Sequence, residues 1–294
     1  MNLEHLAALV AVVDEGSFEA AAGALHITSS AVSQRIKALE KQHGRVLVVR
    51  SSPTRATPDG EILLRLARQV AELQADATAE LEPDTTHRRR LPAVVNADSL
   101  ATWFRPVLAS AATWDDVTLE LLIEIEDHGT HHLRTGAAVG AVTSDPVVVS
   151  GCTVEPLGTL RYVPVCTPAL RERHEAGGRI DWRTMPAIRF NRQDDLQLRH
   201  LRRFGVEAAE IEHLIPDNHA FRDAILAGLG WGLLPEAQVG ATLEGGELVR
   251  LGRGHVDVHL AWQTWRLGSQ TTARLTRAVH DAARAGLRPP VRNG

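Results

Sequence analysis

Short polar and basic side chains follow one another between residues 28 and 37, and such residues can hydrogen-bond to DNA. The amide of Gln34 can donate to and accept from one base, and the serines beside it are small enough for a helix to lie close to base edges. Further along, Arg50 and Arg55 can neutralise phosphates. The candidate DNA-binding residues are Thr28, Ser29, Ser30, Ser33, Gln34, Arg35, Lys37, Arg50 and Arg55.

The uneven distribution of charge bears on this hypothesis. The formal net charge of the 294 residues is -4, and an acidic average argues against a nucleic-acid binder. Between residues 27 and 57, however, Glu40 is the single acid among the bases Arg35, Lys37, Lys41, Arg45, Arg50 and Arg55. This local basic segment predicts one DNA-facing module attached to a domain with another role.

Three helices are predicted to position these residues. Apolar residues at helical spacing indicate a first helix over 3–13, and Ser17 can cap a second one. Thr28 or Ser29 caps a third helix, which Gly44 ends. The alternative is an amphipathic helical hairpin whose polar face contacts only solvent. The order of small alanines, a serine-rich face, basic residues and a long helix favours a DNA-binding module instead.

A short β-type run over 46–49 and a polar turn predict a wing after the third helix. From Pro58 a longer helix begins, with apolar residues at alternating spacings of three and four. Such a seam favours a partner helix, and its members are Ile62, Leu66, Val70, Leu73, Ala77 and Leu81. The polar segment after Pro83 has the composition of a hinge.

From Leu91 onward strands and helices alternate, which predicts α/β units with parallel strands. The alternation resumes after residue 160, so two similar α/β lobes are expected. If the lobes face each other, a ligand binds in the crevice at the carboxyl ends of the strands.

The segment SFEAAAGALHITSSAVSQRIKALEKQHGRVLVVR, with TPDG after it, strongly resembles the N-terminal module of LysR-type transcriptional regulators. The resemblance covers essentially the whole chain, because NADSLATWF, GAVTSD and AGLGWGLLPE are similar to the regulatory domain of one branch. That branch is the ArgP/LysG type, which regulates the export of basic amino acids.

The resemblance implies a fold class: an all-α winged helix-turn-helix with a linker helix, then a two-lobed α/β effector domain resembling periplasmic binding proteins. It implies dimers paired through the linker helix and assembled as tetramers, which bind promoter DNA and contact RNA polymerase. The expected function is activation of an amino-acid exporter gene in response to lysine, arginine or histidine. A LysR-type regulator of a different operon with a non-amino-acid effector is the alternative.

The expected domains are a DNA-binding domain over 1–58, a linker and hinge over 59–90, and an effector domain over 91–294. Within the last, lobe I is expected at about 91–165 plus 266–290 and lobe II at about 166–265.

Residues 96–99 follow the first strand of the effector domain and begin a helix. The hydroxyl of Ser99 and the amides beside it can hold the α-carboxylate of an amino acid, although Asp98 or Ser99 can equally be a simple N-cap. The resemblance implies that Thr143, at the end of a strand, contacts the effector. A basic ligand also needs carboxylates, which loops supply. The effector candidates are Asp98, Ser99, Leu100, Glu126, Asp127, Thr143, Asn191, Asp194, Asp195, Asn218 and His219.

Other classes of function find little support in the sequence. His128 and His132 could hold a metal with Glu126 or His131 if helical, but Gly129 interrupts that helix. An enzyme or a secreted solute-binding protein is a distant alternative, since GxSxG, HExxH and P-loop motifs do not occur. Neither a catalytic residue nor a cofactor is therefore expected.

The two cysteines, Cys152 and Cys166, are too few for a disulfide framework. The N-terminal residues lack the basic region and cleavage site of a signal peptide, and no apolar run approaches the length of a membrane span. The sequence predicts a cytoplasmic protein without a membrane partner.

Overall fold

The computed structural model describes residues 1–81, 88–123, 129–144 and 147–290. Its N-terminal part confirms the predicted helices, wing and linker helix. The elements are α1 (Leu3–Asp14), α2 (Phe18–Ala24), α3 (Ser29–His43), β1 (Val48–Val49), β2 (Arg55–Ala56) and α4 (Pro58–Leu81).

Side-chain caps set the ends of these helices. Ser17 Oγ accepts a hydrogen bond from Ala20 N at 3.1 Å, and Thr28 Oγ1 accepts one from Ala31 N at 3.2 Å. Gly44 adopts the left-handed conformation with φ +63°, which a residue with a side chain rarely adopts, and so ends α3. Thr28 is therefore the cap of the third helix, and Ser29 is its first residue.

The three helices and the start of α4 enclose one apolar core. Ala21 and Ala22 are buried in α2, where their small side chains allow α3 to approach closely. Its buried members include Leu6, Leu9, Val12, Val32, Ile36, Leu39, Leu47 and Leu64. Most of the apolar seam predicted on α4 lies outside this core, because Ile62, Leu73 and Leu81 are exposed in the single chain. Leu66 packs partly against the core.

The second part of the chain contains the remaining elements. They are β3 (Arg89–Val95), α5 (Ala97–Ala101), α6 (Arg105–Ala111), β4 (Val117–Ile123), α7 (Gly129–Thr135), β5 (Gly140–Thr143), β6 (Cys152–Cys166), α8 (Pro168–His174), β7 (Glu175–Ala176), β8 (Arg179–Ile180), β9 (Ala187–Arg189), α9 (Leu196–Arg202), β10 (Glu212–Leu214), α10 (Asn218–Leu226), β11 (Gly232–Pro235), α11 (Glu236–Glu244), β12 (Val249–Arg250), β13 (Val256–Trp265) and α12 (Gln270–Gly286).

Seven of these strands form one mixed sheet in the order β11-β6-β13-β5-β3-β4, with β12 also paired to β6. Strand β3 is parallel to β4 and β5, and β9 is parallel to β10, as expected. The prediction of parallel strands is wrong for the rest of the sheet, because β6, β11, β12 and β13 pair in antiparallel fashion. Strands β6 and β13 are long enough to run through both lobes. Each lobe therefore contains part of this antiparallel pair.

This ribbon also changes where the lobes divide. Residues 261–264 were expected in lobe II, but they pair with β5, which lies beside β3. Strand β13 therefore begins in one lobe and ends in the other, as does β6.

Two arginines join the effector domain to α4. Arg89, at the start of β3, is paired with Glu72 at 2.7 Å and with Asp76. Arg68 donates to the carbonyl oxygen of Thr135 at 2.8 Å and is also paired with Asp14 at the end of α1. These contacts hold helix α7 of the effector domain against the linker helix.

Within the described residues, no helix is both long and apolar enough to cross a membrane.

Glycine at 140 is required by the packing of the mixed sheet. A Cβ at Gly140 would overlap the indole ring of Trp262, which is itself held because its Nε1 donates to Thr276 Oγ1 at 3.1 Å. We expect Gly140→Ala to lower the free energy of unfolding by about 1–3 kcal/mol or more, because the buried indole has to shift. Urea unfolding followed by circular dichroism measures the change.

Gly240→Ala is the matched control. Gly240 lies inside helix α11, and nothing lies within 4 Å of the position that its Cβ would occupy. Alanine there should stabilise the protein by about 0.5–1 kcal/mol, because it restricts the unfolded chain. Equal effects of the two substitutions would contradict the packing argument.

Candidate functional site

The exposed face of α3 carries the polar residues that were expected to contact DNA. Val32, Ile36 and Leu39 form its buried stripe. On the opposite side Ser29, Ser30, Gln34 and Lys37 are exposed, and Ser33 is half-buried. Thr28 is committed to capping the helix through its hydroxyl. The helix thus presents short polar side chains and one amide to solvent, as a major-groove reader requires.

The three arginine candidates have different surroundings. Arg35 is half-buried and forms an ion pair with Glu4 of α1 at 2.7 Å, so it braces α3 against the first helix. The guanidinium of Arg50 lies 4.9 Å from the centre of the Phe18 ring, which orients it beside the start of α2. Arg55 is exposed on β2, in the wing. Arg50 and Arg55 are accessible to phosphates, whereas Arg35 has a structural partner.

A cavity of about 90 Å³ lies where the strands of both lobes end. Strands β3 and β5 and helix α5 contribute one wall, and α9, α10, β11 and α11 contribute the other. The lining residues are Val94, Asn96, Ala97, Asp98, Val142, Thr143, Ser144, Tyr162, Phe190, Asn191, Asp194, Leu196, Gln197, Asn218, Phe221, Leu233, Leu234, Gln238 and Val258. This is the crevice in which the alternation of strands and helices predicted a ligand.

Asp98 connects the two walls of the cavity. Its carboxylate accepts a hydrogen bond from Tyr162 Oη at 2.7 Å and another from Asn218 Nδ2 at 3.1 Å. Burial raises the pKa of Asp98 above its ordinary value, and the charge of Asp194 raises it further. The carboxylate is therefore costly to keep ionised without a compensating cation.

Asp194 is the second carboxylate of the cavity. Its oxygens accept hydrogen bonds from Phe190 N at 3.1 Å and Leu196 N at 3.0 Å, and the side chain is buried. Asn191 holds the loop, since its Oδ1 accepts from the amides of Gln193 and Asp194, both at 2.8 Å. Burial raises the pKa of Asp194, although the two backbone hydrogen bonds and the charge of Arg189 act in the opposite direction.

Among the described lining residues there is no arginine, lysine or histidine. Two carboxylates that interact with each other therefore share a cavity that no described cationic side chain lines. The positive charge of Arg189, which donates to the backbone oxygen of Asp194 from behind the wall, partly offsets the charge of that carboxylate. Such a site suits a cationic ligand, because a positive group lowers the electrostatic cost of both carboxylates at once.

The cavity brings together five of the eleven predicted effector residues: Asp98, Thr143, Asn191, Asp194 and Asn218. Ser99 and Leu100 are next to it without lining it, and Ser99 Oγ is buried without a hydrogen-bond partner in the described part of the chain. Asp195 and His219 are exposed on the outside. Glu126 and Asp127 lie outside the described residues.

The helix after β3 is capped by neither Asp98 nor Ser99. Asn96 is the N-cap, and its Oδ1 accepts from Ser99 N at 2.7 Å. This leaves the carboxylate of Asp98 to turn into the cavity, where it meets Tyr162 and Asn218. The alternative of a simple capping role therefore does not apply to Asp98.

Several lining residues escaped the sequence prediction. Tyr162 lies inside a strand whose pattern indicates a core residue, and Phe221 lies on an amphipathic helix. Gln197 offered one weak signal, since it follows Asp194 by three residues at the start of a helix. Phe190 and Gln238 offered none.

The hypothesis of a metal site is not supported by the described residues. Gly129 begins α7 rather than interrupting it, and His131 and His132 lie on that helix, while Glu126 and His128 are outside the description. Groups of three or more metal-ligating side chains do not occur in the part of the chain that the structure describes.

Both thiols are buried and free. Burial raises the pKa of Cys152 to about 11 and that of Cys166 to about 12, so both stay protonated at neutral pH. They contribute to the core rather than to chemistry.

Comparison with known proteins assigns both halves of the chain. Residues 3–61 match the bacterial regulatory helix-turn-helix proteins of the lysR family, and residues 86–285 match the LysR substrate binding domain. The lysine export transcriptional regulatory protein LysG of Corynebacterium efficiens is 50% identical over 98% of this chain and 100% of its own. The regulator ArgP of Pseudomonas aeruginosa is 40% identical over 96% of this chain and 95% of its own.

Solved structures agree with these matches. Full-length LysG from Corynebacterium glutamicum with bound effector arginine has a TM-score of 0.86 at 45% identity, over 98% of this chain and 100% of that one. ArgP from Mycobacterium tuberculosis has a TM-score of 0.89 at 45% identity, over 97% and 98% respectively. These relatives are transcription regulators rather than enzymes. With a DNA-reading helix at one end and a ligand cavity in the other domain, the chain belongs to the LysR family of bacterial helix-turn-helix regulators.

Proposed function

We propose that this regulator activates an amino-acid exporter gene in response to a basic amino acid: lysine, arginine or histidine. The observation that carries the proposal is the pair of carboxylates, Asp98 and Asp194, in a cavity whose described lining includes no cationic side chain. Lysine or arginine brings two positive groups, its α-ammonium and its side chain, so each carboxylate can receive one. Histidine brings the second positive group when its imidazole is protonated. The printed names of the relatives, which include lysine export and bound arginine, support the same class of ligand.

The ligand acts on the contact between the two walls. Asp98 on α5 accepts a hydrogen bond from Asn218 on α10, so one hydrogen bond already spans the crevice. A cation that approaches Asp98 from the cavity changes the charge at this bridge and thereby favours one separation of the lobes over another. Ser99, directly behind, is a proposed partner for the α-carboxylate once the lobes adjust.

DNA binding follows from the exposed face of α3 and the wing. The protein binds promoter DNA as a dimer formed through the exposed seam of α4, with two dimers assembled as a tetramer upstream of the target gene. RNA polymerase is the proposed further partner. Promoter DNA lies in the bacterial cytoplasm, which is therefore the proposed location of the protein. A small-molecule effector is proposed as its ligand, without a further cofactor.

Two substitutions in the DNA-binding domain should have different effects. Gln34→Ala should remove about 1–3 kcal/mol of discrimination between operator and unrelated DNA, because its amide contacts a base. Arg50→Ala should weaken binding to all sequences and reduce the salt dependence of log K by about one unit, since it neutralises a phosphate. Fluorescence anisotropy at several salt concentrations measures both quantities.

Arg173→Ala is the control for charge alone. Arg173 is exposed on α8 of the effector domain, far along the chain from the DNA-reading helix. It should leave affinity and salt dependence unchanged. Affinities of Gln34→Ala and Arg50→Ala equal to the wild type on every DNA would refute the assignment of this face.

The neighbouring acids 194 and 195 offer a matched test of effector binding. Asp194 is buried in the cavity, and Asp195 is exposed outside it. We expect Asp98→Asn and Asp194→Asn each to cost about 2 kcal/mol or more of arginine or lysine binding, because a buried charged partner is lost. Asp195→Asn should bind as the wild type does. Isothermal titration calorimetry gives the affinities, and the ligand-induced rise in Tm gives a second measure.

Binding should also depend on pH. The raised pKa values of Asp98 and Asp194 mean that the folded protein holds these protons more tightly than the unfolded chain does. Without ligand, the contribution of the two groups to stability therefore falls as pH rises from the ordinary aspartate value through the raised ones. A cationic ligand offsets this loss only when the carboxylates are ionised.

The rise in Tm that arginine causes should accordingly shrink as pH is lowered through the raised pKa values. The double variant Asp98→Asn, Asp194→Asn should show no such pH dependence. An arginine-induced shift in the wild type that is constant across this range would contradict the role of the two carboxylates, as would tighter binding of an anionic effector.

A further inference from the structure

Gln197 combines two properties that rarely occur together. Its side chain lines the cavity, yet the residue is only 1% exposed. Its Oε1 atom is buried and has no hydrogen-bond partner in the described part of the chain. An unpaired buried acceptor is destabilising, because folding removes it from water without replacing the lost hydrogen bond.

Gln263 shows how a purely structural glutamine behaves in the same domain. It is 0% exposed, and both ends of its amide are paired. Its Oε1 accepts from Val149 N at 3.1 Å, and its Nε2 donates to Val147 O at 2.8 Å. The fold therefore satisfies a buried glutamine where the role is structural, and Gln197 differs.

The surroundings of Gln197 indicate what kind of group its oxygen can receive. Gln197 lies in the first turn of α9. Asp194 precedes that turn, and its Oδ1 accepts a hydrogen bond from Leu196 N at 3.0 Å. Both side chains line the same cavity. An acceptor oxygen and a buried carboxylate on the lining of one cavity together favour a donor that also carries positive charge, which means an ammonium or a guanidinium.

We propose that Gln197 is a specificity-determining residue, whose Oε1 accepts a hydrogen bond from a positively charged N–H group of the effector while Asp194 supplies the opposite charge. The inference rests on the proposed function, since it requires a cationic effector in this cavity. It adds a residue outside the predicted set, and it explains why an unpaired acceptor is retained there.

Gln197→Met tests the inference in the full-length protein, because methionine has a similar length and shape without the acceptor. The affinity for arginine and for lysine, measured by isothermal titration calorimetry, should fall about tenfold or more, as expected for loss of a hydrogen bond to a charged group. The Tm without ligand should stay the same or rise, because an unpaired buried polar group is removed.

Gln263→Met is the matched control. It should lower the Tm without ligand, because the backbone groups of Val147 and Val149 lose their partners, and it should leave the affinity for arginine unchanged because residue 263 does not line the cavity. If Gln197 binds the ligand and Gln263 stabilises the fold, Gln197→Met lowers the affinity for arginine and Gln263→Met lowers the Tm without ligand.

Two results would overturn the inference alone: arginine and lysine affinities of Gln197→Met equal to those of the wild type, or a ligand-free Tm lowered as much as in Gln263→Met. If the wild type binds no basic amino acid, the proposed function fails first and the inference falls with it. The titration of the wild type therefore separates the two failures.

Discussion

The antiparallel pairing of β6 with β13 is the constraint on which the effector domain depends. The two strands pair from Tyr162 with Val256 to Cys152 with Trp265, and they extend through both lobes. Each lobe is completed on this ribbon: β5 adds to it on one side, and β11 and β12 add on the other. Because both lobes share the ribbon, a change in their separation bends or twists the same two strands.

The ribbon also explains the position of the cavity. Tyr162 and Val258 lie on it and line the cavity, between the strand ends of the two lobes. The hydroxyl of Tyr162 reaches Asp98 of one lobe, and Asn218 of the other lobe reaches the same carboxylate. A half-buried acid, Asp98, thus lies where the lobes meet, and the buried Asp194 is a second one. The fold bears an electrostatic cost at the proposed ligand site, as is common where function requires a charge.

Arginine contacts with the linker helix connect the effector domain to the DNA-binding domain. Arg89 ties the first strand of the effector domain to Glu72 and Asp76, and Arg68 joins helix α7 to the end of α1. Helix α1 packs against both α3 and α4. These contacts and the packing of α1 form a short connection between lobe I and the helix that faces DNA. Arg68, Glu72, Asp76 and Arg89 are largely shielded from solvent in it, whereas Asp14 is exposed.

Local patterns in the sequence determined the DNA-binding domain almost completely. Helical spacing of apolar residues, the caps at Ser17 and Thr28, and the glycine at 44 act within a few residues, so their effects can be predicted without a structure. The alternation of strands and helices likewise predicted a two-lobed domain and a crevice at the strand ends. The same crevice predicted Asp98, Asp194 and Asn218 as effector-binding residues, because each lies near the end of a strand or the start of a helix.

Only the tertiary structure decided which polar residues meet. The direction of β6 and β13 depends on pairing between segments about a hundred residues apart, which no local pattern records. Burial separates Asp194 from Asp195, although the two are adjacent and chemically identical, and it exposes His219 while Asn218 turns inward. In the sequence Tyr162 resembles a core residue, and Gln197 gives only the weak signal of its spacing from Asp194. Both line the cavity because the packing of the two lobes leaves space beside them, and cavities are a property of the assembled fold alone.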